Sequence, residues 1–230
     1  LAQAANADGF DIILVAGGDG TINQVAHGLM SVRSSGERIA AVGLLPSGTA
    51  NVLARDLGMP VPGPSQRNVL PAAARLLLQS KPIPIDVGLA SSAGGKRHFL
   101  CWAGIGIDAA ITAYAASSPQ AKRRFGPLVF AAGALTQLNE LRQTPSYKVA
   151  ANSQFWTGDG LLVVVSNIRH YAVVLKMAPE ASLTDGLLDV AFFRKAHPLA
   201  MLRTLWLLRS GGHVDEPHVE YTRSRKVRID

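Results

Sequence analysis

In the first third of the chain, short apolar runs alternate with stretches of helical periodicity. Residues Asp11-Ile12-Ile13-Leu14-Val15-Ala16 form a short β-branched run that reads as a buried strand. It leads directly into Gly17-Gly18-Asp19-Gly20-Thr21. Ile22, Val25, Ala26 and Leu29 then share one helical face, with Asn23, Gln24 and His27 on the other. A second buried strand is expected at 39–45. It enters Pro46-Ser47-Gly48-Thr49-Ala50-Asn51 and a short helix carrying Leu53, Ala54 and Leu57, with Gly58 and Pro60 as stop signals. After a Pro/Gly/Ser-rich loop, Asn68 is placed to cap a helix whose Leu70, Ala73, Ala74 and Leu77 share a face, with Pro71 in its first turn.

From about Lys81 the texture changes to short strands, expected at 83–89, 98–103, 147–151, 161–167, 187–194, 218–222 and 226–229, with a turn at 91–95. Helices are expected to interrupt them at 108–116, 127–141 and 198–208. Strand–helix units followed by a run of strands point to an α/β domain over 1–82 and a mainly β domain over 83–230.

Composition narrows the class. The chain has 230 residues, 48% of them hydrophobic, enough for one large or two small cores. Its start has neither a basic nor an apolar signal-peptide region, and no apolar run nears the ~18 residues needed to span a bilayer. A single cysteine, Cys101, excludes an internal disulfide and a cysteine metal site and is expected to act as a small apolar strand residue. These features fit a cytoplasmic protein. The net charge of +7 allows nucleic acid, an anionic lipid surface or a phosphorylated substrate as partner. Aromatic residues are only 6% and are not interleaved with the basic clusters, so nucleic acid is disfavoured.

The chemistry concentrates in two turns at the carboxyl ends of two strands, where open α/β sheets bind ligands. Gly17, Gly18 and Gly20 remove Cβ atoms, which lets a phosphate approach the amides that open the following helix. Asp19 among them would repel phosphate unless it holds Mg²⁺ or accepts a hydrogen bond. Ser47, Gly48, Thr49 and Asn51 offer hydroxyls, an amide and a second helix start. The first turn is not a Walker A loop, since no Gly-Lys-Ser/Thr follows, and lacks dinucleotide-fingerprint spacing. Asp185-Gly186 reads, on residues alone, as a tight turn into a strand. The six histidines show no ligand spacing. Leu199, Leu202, Leu205, Trp206 and Leu208 form a stripe for which core packing is the default. Phe125 beside Lys122, Arg123 and Arg124 is the better membrane-surface candidate.

Four segments in order, GGDGT, LPSGTANVLARDLG, AGIGIDAAI and APEASLTDGLLDV, resemble the diacylglycerol kinase catalytic-domain superfamily, which includes sphingosine kinases and a bacterial branch of soluble lipid kinases. GGDG alone is shared with NAD kinases and phosphofructokinases, whereas SGTAN and TDGLLD favour the lipid kinases. The resemblance implies an α/β nucleotide-binding domain over 1–82 followed by a mainly β, sandwich-like domain over 83–230, in an ATP-dependent lipid kinase acting at the membrane surface as a peripheral protein, with a homodimer left open. It implies ATP phosphates on Gly17, Gly18, Asp19, Gly20 and Thr21, and nucleotide contacts from Ser47, Gly48, Thr49 and Asn51. Asp19 would organise the phosphates with Mg²⁺, and Asp108 would join an acidic network in the cleft. A structural Mg²⁺ would be held by the Asp185 carboxylate and the carbonyls of Ser182 and Leu187. The alternatives are a soluble NAD-kinase-like enzyme and a nucleotide- or lipid-sensing module without turnover.

Departures from the family pattern are specific. Its catalytic base lies in an Asp-Gly-Glu motif, which this sequence does not contain, and its first strand and helix have no counterpart. The expectation is a chain trimmed at both ends, with the base beyond Asp230. Val52 stands where some members carry Asp, and Ala172-Val173-Val174 where many carry glycines.

Overall fold

The computed structural model describes residues 1–32, 39–63, 67–107, 144–171 and 175–230. They divide into Leu1–Cys101 and Trp102–Asp230, with the hairpin that follows residue 87 clustering with the first unit. The expected helices at 108–116 and 127–141, Asp108, the 122–125 cluster and 172–174 lie outside the described residues.

The first unit opens with a short helix α1 (Ala2–Ala7) that the sequence pattern does not announce. Strands β1 (Ile12–Gly17) and β2 (Ala41–Pro46) pair in parallel, from Ile12 opposite Ala41 to Gly17 opposite Pro46. Between them runs α2 (Asp19–Val32), which buries Ile22, Ala26 and Leu29 as its periodicity predicts. Among the described residues, β1 is covered on one face only. Val15 is buried, whereas Ile12 and Leu14 are 55% and 61% exposed. Alternate strand residues face opposite sides, so the apolar run 11–16 is not buried throughout as expected.

Helix α3 (Val52–Asp56) follows the second turn, and Gly58 (φ +70°) leaves it in the left-handed conformation expected of a stop residue. Helix α4 (Leu70–Gln79) has Pro71 in its first turn, but its N-cap is Val69 rather than Asn68, and no side chain caps it. Ala73 is its buried residue.

The strand expected at 83–89 forms only from Gly88. Pro82 and Pro84 lack the N–H groups a ladder requires, and Ile83 is exposed. Strands β3 (Gly88–Ser92) and β4 (Gly95–Phe99) make a hairpin whose ladder runs to Ser92 opposite Gly95, leaving Ala93-Gly94 as the turn. The polar face of α2 holds this hairpin. Asn23 Nδ2 donates to the His98 carbonyl at 3.3 Å, and Asn23 Oδ1 accepts from the Leu100 amide at 3.0 Å. His27 Nδ1 accepts from the His98 amide at 3.2 Å.

The second unit is an antiparallel six-stranded sheet in the order β11 (Val219–Ser224), β10 (Leu188–Arg194), β7 (Gln154–Ser166), β6 (Ser146–Ala151), β12 (Val227–Ile229), with β5 (Trp102–Gly106) also paired to β7. Its organiser is β7 (Gln154–Ser166). The first half of β7 pairs with β6 (Ser146–Ala151), and the second half pairs with β5 on one edge and β10 (Leu188–Arg194) on the other. The ladder to β10 shifts register between Phe193 and Arg194. There the chain passes through Gly158 (φ +142°) and Gly160, and a Cβ on Gly160 would lie 2.1 Å from the Phe192 ring. Both faces of the second half are covered, since Val163, Val164 and Val165 are all buried. This explains the unbroken apolar run at 161–165. Strands β8 (His170–Tyr171) and β9 (Leu175–Lys176) form a short pair at one side.

A core cluster of Val164, Met177, Ala191, Phe193, Leu208 and Val219 lies beneath α5 (Pro198–Leu207) and a 3-10 turn (Gly212–Asp215). β11 (Val219–Ser224) and β12 (Val227–Ile229) complete the sheet. The α5 stripe overturns one expectation. Thr204 and Leu208 face inward, with Thr204 Oγ1 bonded to His218 Nε2 at 2.6 Å, while Leu199, Leu202, Leu205 and Trp206 face outward at 70%, 63%, 55% and 70% exposure.

Gly160→Ala drives a methyl into the Phe192 ring and is expected to lower unfolding free energy by about 1–3 kcal/mol, as read by denaturant titration. Two histidines give the fold a pH dependence. Burial, then the neighbouring His27, lowers the pKa of His98; burial also lowers that of His213, outweighing its bond to the Met177 carbonyl and the nearby Asp215. A depressed histidine pKa means that the unfolded chain takes up the proton first. Their contribution is therefore present above the ordinary histidine pKa of about 6.5 and is lost as pH falls below it. Unfolding free energy should decline between pH 7.5 and 5.5, with a shallower slope in His98→Gln. A flat profile in the parent protein would contradict this.

Candidate functional site

The two glycine turns lie side by side at the carboxyl ends of β1 and β2. The Ser47 amide donates to the Gly17 carbonyl at 3.1 Å, extending the parallel pairing beyond the ladder. Next, the turns touch backbone to backbone. A Cβ on Gly48 would lie 2.3 Å from Gly18 Cα, and one on Gly18 would lie 3.0 Å from Gly48 Cα. A Cβ on Gly17 would lie 2.7 Å from Thr21 Cβ. Gly17, Gly18 and Gly48 are therefore required by packing within the protein. Gly20 alone among these glycines faces open space, with nothing within 4 Å of a notional Cβ.

Two side chains lock the turns. Asn51 is 1% exposed and adopts the left-handed conformation at φ 51°, ψ 47°. Its Oδ1 accepts from the Gly48 amide at 2.9 Å and its Nδ2 donates to the Gly48 carbonyl at 2.7 Å. Asn is among the few residues that tolerate this backbone region while bonding locally. Asp19, in the first turn of α2, accepts from the Leu53 amide at 3.0 Å through Oδ1. One carboxylate thus caps the second helix from the start of the first, where the α2 dipole also favours negative charge. Ser47, Thr49, Thr21 and Gly20 are exposed around this clasp. The Cys101 thiol is kept neutral, its pKa raised first by burial and then by Asp19 and Asp56.

The second predicted site is the turn before β10. Gly186 is left-handed at φ +71°, and Asp185 Oδ1 accepts from the Leu187 amide at 3.0 Å. Asp185 Oδ2 pairs with the guanidinium of Arg223 on β11. Ser182 Oγ lies 3.4 Å from Thr184 Oγ1. Sequence reasoning missed the neighbours of this turn. Asp189, 1% exposed, stands opposite Arg223 in the β10–β11 register. Its Oδ1 accepts from the Tyr221 hydroxyl, and its Oδ2 lies 3.7 Å from Arg223 Nε without a hydrogen bond. Burial raises the Asp189 pKa, against the lowering effects of Tyr221 and Arg223, and also raises that of Tyr221. The available signal was a lone acid in an apolar strand, LLDVAFF, because a buried carboxylate requires partners.

Hard oxygen donors with an excess of carboxylate over guanidinium suit Mg²⁺ in kind, and the buried, unbonded Asp189 Oδ2 marks unused acceptor capacity beside the turn. Arg223 is the cation already on Asp185, so a metal ion there must share or displace it. No group of three His, Cys, Asp or Glu residues among the described residues is arranged to hold a metal. The predicted set has a single carboxylate and does not require one.

Two domain families match this chain. Residues 1–90 match the diacylglycerol kinase catalytic domain, and residues 102–230 match the YegS C-terminal NAD kinase beta sandwich-like domain. The chain belongs to the diacylglycerol kinase and YegS-like lipid kinase family. It is 29% identical to a "Diacylglycerol kinase" of Bacillus subtilis (strain 168), over 96% of this chain and 67% of that protein. It is 34% identical to a "Probable lipid kinase YegS-like" of Pseudomonas aeruginosa (strain UCBPP-PA14), over 93% of this chain and 64% of that protein. A solved diacylglycerol kinase from Bacillus anthracis str. Sterne superposes with a TM-score of 0.66 at 21% identity, covering all of this chain and 68% of that one, and so shares the fold. The chain spans about two thirds of the length of these relatives.

Asn51→Ala leaves the part-buried Gly48 amide and carbonyl without their Asn51 partner and is expected to cost about 1–3 kcal/mol in denaturant unfolding. Gly48→Ala, which forces backbone apart, should cost at least as much. Wild-type stability in both would refute the locking role.

Proposed function

We propose that this chain is the catalytic part of an ATP-dependent lipid kinase, which transfers the γ-phosphoryl group to a lipid hydroxyl at the cytoplasmic membrane surface as a peripheral protein. The observation that supports it best is the clasp of Asp19 and Asn51. It sets the first turns of α2 and α3 beside each other at the carboxyl edge of the parallel strands. Amides of those turns, with the hydroxyls of Thr21, Ser47 and Thr49, would receive phosphate oxygens, and Gly20 leaves the approach open. Phosphoryl transfer needs alignment and charge neutralisation more than covalent chemistry. A rigid amide-lined edge supplies the alignment. Mg²⁺ carried with ATP would supply the neutralising charge.

Asp19 has the dual task. One oxygen holds α3 through the Leu53 amide, and the other would face the phosphate–magnesium group. The structural Mg²⁺ of the second unit would sit on Asp185 with the carbonyls of Ser182 and Leu187. Asp108, which lies outside the described residues, would join the acidic network that the resemblance implies. No residue of this chain is assigned as the base, in line with the missing Asp-Gly-Glu. No described helix is long and apolar enough to cross a membrane, which suits a peripheral protein.

The test is Mg²⁺-dependent transfer of labelled phosphate from ATP to diacylglycerol by the full-length protein. Asp19→Asn keeps an acceptor for the Leu53 amide but removes the charge. It should lower activity by ~100-fold with little change in melting temperature. Asp19→Ala should lose the activity and also ~1 kcal/mol of stability from the lost cap. Equal activity in Asp19→Asn, or phosphorylation of NAD with none of lipid, would overturn the assignment.

A further inference from the structure

The outward face of α5 is chemically unlike an ordinary solvent-facing helix. Advancing 100° per residue beyond the exposed Pro198 that opens it, its exposed positions fall in the order Leu205, Arg209 just past its C-terminus, Leu202, Trp206, Leu199 and Arg203. Four large apolar side chains and two arginines thus make one continuous face, and the helix carries no acidic residue. Arg203 bonds Glu216 at 3.1 Å, but Glu216 is only 6% exposed and adds no acid to the face. Lys195 and His197 lie exposed at the N-terminal end. The helix is held in this orientation from below, by Thr204 on His218 and by Leu208 in the core cluster.

We propose that this face is a docking face for an anionic phospholipid surface. Leucines and a tryptophan flanked by basic residues are the composition of helices that lie in the bilayer interface. The apolar side chains enter the headgroup–acyl boundary, and the arginines reach lipid phosphates. Charge selects this occupant. A second copy of the chain in a two-fold contact would bring an identical face, whose helix has no acidic residue to meet the arginines. An anionic surface matches them, as it matches the net charge of +7. The proposal deepens the lipid-kinase reading by naming the surface that would bring the chain to a bilayer-borne substrate, and it rests on that reading for its purpose.

The test is co-sedimentation of the full-length protein with vesicles of phosphatidylcholine containing 30% phosphatidylglycerol, and with phosphatidylcholine alone. The wild type should bind the anionic vesicles, with salt weakening the binding, and Trp206 fluorescence should shift to the blue and be quenched by brominated lipid. Leu202→Ser/Trp206→Ser should lower vesicle binding at least ~10-fold, and Arg209→Gln about five-fold. Both should phosphorylate monomeric dioctanoylglycerol within about two-fold of wild type, since neither lies in the proposed catalytic machinery. Absence of wild-type binding to anionic vesicles, or undiminished binding in the variants, overturns the docking face. So does a halved mass of the double variant by light scattering, which would make the face a contact between copies. A wild type that binds through α5 but phosphorylates no diacylglycerol leaves the docking face standing and removes the lipid-kinase reading instead.

Discussion

The first unit depends on the contact between Gly18 and Gly48. Two parallel strands end in turns whose backbones come within the distance that any Cβ would occupy. The rest follows from that approach. It brings the Asp19 carboxylate within 3.0 Å of the Leu53 amide, so that the first turn caps the second helix. It also places Asn51 where its side chain can close a ring of hydrogen bonds on Gly48, and the left-handed backbone this requires is one that Asn accepts. An anion entering such an edge meets a backbone already held in place by the protein's own bonds, so little ordering remains to oppose binding.

The second unit solves a different problem with the same means. β7 serves two halves of a sheet and must bend between them. The bend falls at Gly158 and Gly160, where the Phe192 ring lies against bare backbone. Arg194 closes the bend, donating to the Thr157 carbonyl at 2.9 Å and pairing with Glu220 at 3.1 Å, with its guanidinium 5.0 Å from the Phe192 ring centroid. An aromatic pressed on glycine gives a large buried contact that any side chain at position 160 would destroy.

Much of this was legible in the residues, for physical reasons. β1, α2 and β2 could be read because one buried face imposes a period of two or of 3.6 on the sequence. The glycine turns could be read because few residues allow such close backbone approach, although the pattern did not say whether the space is used by ligand or by protein. Other features depended on what packs opposite. Asn23 and His27 look like a solvated face until β4 is placed against them. The α5 stripe fixes which side chains share a face, but not which face is inward; Thr204 and His218 decide that through a polar bond that no periodicity marks. The Asp189–Arg223 pair exists only in the β10–β11 register.

That pair also bears on the cation at the Asp185 turn. Asp189 is nearly inaccessible, and an isolated carboxylate there would be driven to its neutral form. Tyr221 and Arg223 oppose this, but Arg223 is divided between Asp189 and Asp185 and cannot fully compensate both. Among the described residues, the two carboxylates of this cluster share the guanidinium of Arg223. A divalent ion would supply the missing charge without having to order the loop, because the Leu187 amide already fixes the Asp185 carboxylate. A metal ion there would compete with Arg223 for one oxygen while sharing in the charge balance of the cluster, and among the described residues the fold stands on Arg223.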